Sequence, residues 1–306
     1  MKSKFLSPAV TIFDCKGRPD KEENHSLYQH LKNGGVSGFV IMGSTGEFYS
    51  LSMEESMNLI DIASEFPKEK MEVYAGASRM TPKESVILSN YAYDKGLDGV
   101  MIISPYYYPL TQENLFDFYS KVASRTKAKI FIYNFPDRTG CSISPETVLR
   151  LAEKYENIRG LKDTILDMGH TSDLIVSVKS QIPHFEIYSG YDNNFAHNIL
   201  SGGSGCIGAL SNIVPEFFAG FMEALDSENF FSIALFQREV DKMMDIYKIR
   251  DSFIPVIKKA LVIKGIISSE KSAEPLREAD DDVALLLSSF LENLDTGASF
   301  KSTFLE

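Results

Sequence analysis

Short runs of Val, Ile and Phe alternate with longer stretches whose apolar residues recur at helical spacing, and this beat fills the chain up to about residue 225. The runs predict strands at 7–13, 37–42, 72–76, 99–104, 129–134, 158–162, 186–189 and 205–209. Each is apolar almost without interruption, which is the mark of a strand covered on both faces, as in a parallel sheet. The stretches between them predict helices, among them 53–66, 82–95, 112–125 and 145–155. Three of these begin with a capping residue, Ser52, Thr81 or Ser144, and Pro82 and Pro145 then stand at a first helical position. Lys95-Gly96 supplies a glycine stop.

Eight strand-helix units in ~225 residues fit the ~250 typical of a closed (β/α)8 TIM barrel. An open doubly wound sheet is the rival, but no Gly-x-Gly-x-x-Gly turn follows the first strand. Beyond Asp226 the strand pattern stops and 230–250, 254–267 and 280–294 read as helices. The expected organisation is a barrel over 1–225 that carries the active site and a C-terminal helical extension over 226–306.

Composition narrows the function. Of the 306 residues, 44% are hydrophobic, enough for a large core in one barrel-type domain. The 31 Lys and Arg against 42 Asp and Glu give a net charge of -11, which argues against a nucleic-acid footprint. The start of the chain lacks the apolar run of a secretory signal, and no segment reaches the ~18 apolar residues of a membrane span. Cys15, Cys141 and Cys206 are odd in number and far apart, which speaks against a disulfide framework or a zinc knuckle and suits a reducing cytoplasm.

In a barrel the working groups lie at the carboxyl ends of the strands. The unusual residues of this chain fall there. They are Gly43-Ser44-Thr45-Gly46-Glu47, then Tyr106-Tyr107-Tyr108, then Tyr133-Asn134-Phe135-Pro136-Asp137-Arg138, then Lys162-Asp163-Thr164, and then Gly190-Tyr191-Asp192-Asn193.

Taken singly, each has an ordinary reading. The glycine turn could be a plain connection, or a cradle for a carboxylate; it lacks the lysine of a phosphate loop. The three tyrosines could be surface or interface aromatics. Arg138 could be a solvated charge or a fork for a carboxylate. Tyr133 could be a core phenol or a proton carrier. Lys162 could snorkel from its strand to water. An ammonium at the end of a buried strand is costly, however, and an uncharged amine is a nucleophile toward a carbonyl carbon. Together an anion site, a proton carrier and a lysine on neighbouring strand ends describe imine-forming carbon–carbon chemistry on a 2-oxo acid.

Four of these pieces carry a resemblance: Gly43–Glu47, Tyr133–Pro136, Gly160-Leu161-Lys162-Asp163-Thr164 and Gly190-Tyr191-Asp192. In that order, each at a strand end, they resemble the N-acetylneuraminate lyase / dihydrodipicolinate synthase superfamily. The resemblance implies a Schiff-base lysine, no metal or organic cofactor, and a homotetramer built as a dimer of dimers. It implies Lys162 as the imine former, Tyr133 as the proton relay, and Ser44 with Thr45 as the pair holding the 2-oxo acid carboxylate, Thr45 also counting as catalytic. It implies Tyr107 as a catalytic tyrosine reaching the neighbouring subunit's site, and Arg138, Thr164, Gly190 and Asp192 as substrate contacts.

Within the superfamily, Lys162-Asp163-Thr164 and Gly190-Tyr191-Asp192 look most like the 2-keto-3-deoxygluconate aldolase group. The expected activity is cleavage of a 2-keto-3-deoxy sugar acid to pyruvate and an aldehyde. Arg138-Thr139-Gly140 instead resembles the synthase branch, which condenses pyruvate with aspartate semialdehyde. Asp192-Asn193 and Ala209 depart from the sialic acid lyase pattern of Asp-Glu and serine. A barrel that only senses a 2-oxo acid is the non-enzymatic alternative.

Overall fold

The structure is a computed structural model that describes residues 2–293. Eight parallel strands form a closed barrel in chain order: β1 (Lys4–Pro8), β2 (Gly38–Ile41), β3 (Glu72–Gly76), β4 (Gly99–Ile103), β5 (Ile130–Asn134), β6 (Ile158–Asp163), β7 (Glu186–Ser189) and β8 (Gly205–Ile207). The fold is the expected (β/α)8 TIM barrel. Nearly every strand residue is buried, as continuous apolar runs require when helices cover one face and a packed interior the other.

The capping signals work as read. Ser52 accepts from the Glu55 amide while the Glu55 carboxylate accepts from the Ser52 amide, closing a capping box on the helix Met53–Glu65. Thr81 and Ser144 cap the helices Pro82–Asp94 and Pro145–Lys154. Gly96, at φ 77°, closes the first of these two with a bond from its amide to the Tyr93 carbonyl.

The first strand differs from its expected 7–13. It lies earlier, and the apolar segment after Pro8 is buried without being strand. Its amides are satisfied by side chains instead of a ladder: the Val10 amide donates to Asn212 Oδ1 and the Ile12 amide to Asn24 Oδ1. An apolar run with side-chain amides waiting elsewhere in the chain is indistinguishable from a strand in sequence. The last strand also stops short of residue 209, and a 3-10 turn Ala209–Asn212 follows.

The described residues group into two compact units, 72–207 and 2–71 together with 208–293. In the first unit β3–β8 lie side by side in register, with Tyr133 opposite Lys162 and Lys162 opposite Tyr188. The second unit carries β1, β2 and the C-terminal helices. Of these, 230–250 is Phe230–Met243 followed by a 3-10 turn to Lys248, and 254–267 is Phe253–Ile263, stopped by Gly265 at φ 68°. The last runs Asp281–Asn293, and residue 294 of its expected span lies outside the described residues. Among the described residues, no helix is long and apolar enough to cross a membrane.

Candidate active site

Lys162 is the next-to-last residue of β6 and is only 6% exposed. Its Nζ sits over the Tyr133 ring, 4.6 Å from the centroid. The pairing of Tyr133 with Lys162 across β5 and β6 puts the two side chains on one sheet face, so their contact follows from register. No carboxylate pairs with this amine and no hydrogen bond reaches it among the described residues. A buried lysine without an anion is expensive unless a substrate uses it. Tyr133 is itself buried and stacks on Phe135 at 5.9 Å.

Alternation sends Asp163, one residue on, to the opposite face of β6, and its carboxylate is buried under the helix Met168–Leu174. Oδ1 accepts from Asn134 Nδ2 at 2.7 Å; Oδ2 accepts from Thr171 Oγ1 at 2.7 Å and meets His170 Nδ1 at 2.9 Å. Asn134 Oδ1 in turn accepts from the Ile143 amide at 3.1 Å. The backbone is tied as well: the Gly190 amide donates to the Asp163 carbonyl and the Thr164 amide to that of Asn134.

Thr164 and Gly190 are brought together. A methyl group on Gly190 would lie 1.9 Å from Thr164 Oγ1, so only glycine fits there. That hydroxyl is buried and has no hydrogen-bond partner among the described residues. Asp192 is buried at the start of a 3-10 turn after β7. Near it the buried thiol of Cys206 is pushed far above its ordinary value, by burial first and then by the Asp192 charge, with the nearby Lys162 opposing.

Arg138 is exposed on the short helix Pro136–Thr139, 5.8 Å over the Phe135 ring. Half-buried Tyr191 is raised from its ordinary value, chiefly by burial, then by Asp137 and Tyr133, with Arg138 pulling the other way. Tyr133, Asp137, Arg138 and Tyr191 are thus near one another. Tyr107 is 77% exposed, and its ring makes an edge contact with that of Tyr108 at 5.0 Å.

The Ser44-Thr45 turn belongs to the other unit, and strain shapes it. Met42 and Glu47, which flank it, adopt φ of 53° and 59°, values that side chains other than glycine rarely take. The Gly46 amide donates to the Gly43 carbonyl and the Glu47 amide to that of Ser44, so these two amides close the turn. A methyl group on Gly46 would meet the Ala9 carbonyl and the Met42 amide, each at 2.9 Å. This glycine serves close backbone packing, whereas the sequence suggested approach of a ligand. Thr45 is buried and Ser44 partly so.

The Glu47 side chain anchors the turn. Its Oε1 meets Lys258 Nζ at 2.5 Å and its Oε2 accepts from the Ala273 amide at 2.7 Å, with Glu47 and Lys258 both fully buried. Burial raises Glu47 and lowers Lys258 from their ordinary values, although each partner's charge works the other way.

Comparison with known proteins decides the family. The model of the dihydrodipicolinate synthetase family matches residues 1–294. The chain belongs to that family. It is 32% identical over 280 residues to "Probable 2-dehydro-3-deoxy-D-pentonate aldolase YjhH" of Escherichia coli K12, covering 92% of this chain and 93% of that one. It is 30% identical over 277 residues to the 4-hydroxy-tetrahydrodipicolinate synthase of Thermotoga neapolitana, covering 90% and 94%. Among solved structures, that of YagE, a prophage protein of the dihydrodipicolinic acid synthase family from E. coli K12 in complex with pyruvate, matches with TM-score 0.93 at 30% identity. The match covers 96% of this chain and 99% of that one.

Asn134, Asp163 and Tyr191, quoted within motifs without a role of their own, and His170 and Cys206 are the further residues that the geometry brings into this region. The signal available for Asp163 was strand alternation: next to an inward lysine, a carboxylate must find partners on the helix side. His170 left no such trace.

Proposed function

We propose that this protein is a class I, pyruvate-dependent lyase that cleaves a 2-keto-3-deoxy sugar acid to pyruvate and an aldehyde. The observation that carries this reading is the Lys162 amine: buried at a strand end, set over the Tyr133 ring and without a paired carboxylate among the described residues. The names of the YjhH and YagE relatives support it, since they give 2-dehydro-3-deoxy-D-pentonate and 2-dehydro-3-deoxy-D-gluconate aldolase, both qualified in the names themselves.

In the proposed reaction the amine of Lys162 adds to the C2 carbonyl and the resulting hydroxyl leaves as water with a proton from solvent, giving a protonated imine. Cleavage of the C3–C4 bond sends its electron pair into that imine, forming an enamine. Tyr133 passes its own proton to solvent and takes that of the C4 hydroxyl as the aldehyde forms. A proton returned to C3 and hydrolysis of the imine release pyruvate and restore the amine. Ser44 and Thr45 hold the carboxylate, which fixes the carbonyl in attack geometry. Thr164 and Asp192 contact the sugar chain, and Gly190 leaves room for Thr164. No cofactor enters these steps.

A second reading is supported by Arg138 beside Tyr191 and Asp137 and by the synthase names of several relatives: condensation of pyruvate with aspartate semialdehyde. The two are separated by offering pyruvate with a panel of aldehydes, including glyceraldehyde and aspartate semialdehyde, and following pyruvate loss and product mass. Consumption with the polyol aldehydes supports the aldolase; consumption with the semialdehyde alone overturns it. Lys162→Ala should be inactive with every member of the panel. Exposed Tyr107 fits a role in a neighbouring subunit's site, and the proposed assembly is a cytoplasmic homotetramer. Light scattering checks it, and a monomer with full activity contradicts the shared site.

A further inference from the structure

We propose that His170 is a positioning residue for Lys162: as an imidazolium joining the Asp163 carboxylate to the Ile143 carbonyl, it fixes the end of β6 that carries the amine. This rests on the reading of Lys162 as the imine former and adds to it a second, titratable layer behind the strand.

The geometry decides the protonation state. Nδ1 lies 2.9 Å from Asp163 Oδ2 and Nε2 lies 3.0 Å from the Ile143 carbonyl, which can only accept. A carboxylate too can only accept. Both ring nitrogens therefore face acceptors, and a neutral imidazole, with one N–H, would set a lone pair against one of the two oxygens. Ser142 Oγ, 3.4 Å from Nε2, is a neighbour able to adapt.

The charges around the ring agree. Burial alone would lower His170, but the hydrogen bond and charge of Asp163, with Asp173 on its own helix, carry it above its ordinary value. On the elements packed against this helix, other charges are spoken for or turned outward. Arg150 pairs with Glu113, Lys179 donates to the Gly202 carbonyl and Glu186 accepts from Tyr188, while Glu146, Glu153, Lys154 and His197 are exposed.

Asp163 is the residue through which this reaches the amine. Its side chain gathers Asn134 of β5, Thr171 and His170, and its carbonyl takes the Gly190 amide, so the backbone on the carboxyl side of Lys162 is held from three elements. Loss of the His170 proton leaves a buried carboxylate without its counter-charge and turns a ring lone pair toward one of the two oxygens. The sign follows. A histidine raised in the folded protein contributes fully at acid pH, and its contribution disappears as pH rises through the raised value. Positioning of Lys162 should thus weaken on the alkaline side.

The test is the rate at which borohydride traps pyruvate on Lys162 across pH, in the full chain and in His170→Asn. Asparagine keeps a donor near the place of Nδ1 but has nothing to titrate. Near neutral pH the variant should trap ~10-fold more slowly, within the loss of up to ~10²-fold that a ~1 Å misplacement brings. That gap should close as pH rises through the His170 titration. Because both proteins share Lys162, its own pH dependence cancels in the ratio. Thr171→Val, which removes a donor to Asp163 without removing a titrating group, should slow trapping while the alkaline loss persists. A His170→Asn rate equal to that of the unmodified chain, or a gap constant with pH, overturns the proposal. So does a neutral His170 ring at pH 6.5 in ¹⁵N spectra of the unmodified chain, which needs no variant to fold. Failure of the unmodified chain to trap pyruvate at all overturns the imine reading instead.

Discussion

Lys162 and Tyr133 face each other because two strands pair in one register, and the proposed chemistry uses that contact. The amine lies over the ring face, 4.6 Å from its centre, so Tyr133 offers it a cation-π surface in the resting protein. Removing only the phenol oxygen leaves this surface in place. Tyr133→Phe should therefore still form the imine with pyruvate while turnover falls ~10²–10⁴-fold, the usual worth of a positioned proton carrier. Stopped-flow turnover alongside borohydride trapping checks it, and equal losses in both would contradict the division of labour.

At this scale the sequence was most informative about residues with unusual chemistry at strand ends. The nearness of Lys162 and Tyr133 could be read because strand order puts them on neighbouring strand ends. The Asp163–His170 bond could not. It joins a strand to a helix turn whose side-chain direction no periodicity sets, and a lone histidine has many ordinary explanations.

Among the elements, the turn after β2 is held under strain by a contact far along the chain. Glu47 sits at φ 59° with its carboxylate sealed between Lys258 and the Ala273 amide. A buried ion pair adds little net stability, but breaking it strands a charge. Lys258→Met should cost about 3–5 kcal/mol, read as a lowered denaturant midpoint, and the double variant Glu47→Gln with Lys258→Met should recover much of it. If the double variant is no better than the single one, the pair is not what anchors the turn.

Gly160 makes a second prediction at this scale. A methyl group there would meet the Glu186 carbonyl at 2.5 Å and the Phe131 ring at 2.6 Å, both inside the sheet below Lys162. Gly160→Ala should destabilise by about 1–3 kcal/mol, the usual cost of overpacking a core, and thermal unfolding checks it. Helix caps were legible because capping is local, as Ser52 with Glu55 demonstrates. The first strand was misjudged because burial of 9–13 depends on Asn24 and Asn212, one a dozen residues and the other two hundred residues away.

For the whole molecule, the eight-fold beat of apolar runs and helical spacers was enough to give a closed barrel, since few other arrangements cover both faces of eight parallel strands. Membership of the dihydrodipicolinate synthetase family agrees with the strand-end motifs. The choice among aldehydes was not legible: Arg138 and Tyr191 lie on exposed or half-buried connections, where no periodicity sets a side chain's direction.

The central claim is a covalent one, and mass spectrometry addresses it directly. Treated with pyruvate and borohydride, the full chain should gain the mass of one reduced pyruvyl group, and digestion should place it on the peptide containing Lys162. Lys162→Ala should gain none. An unmodified mass, or a label that persists in Lys162→Ala, would contradict the account.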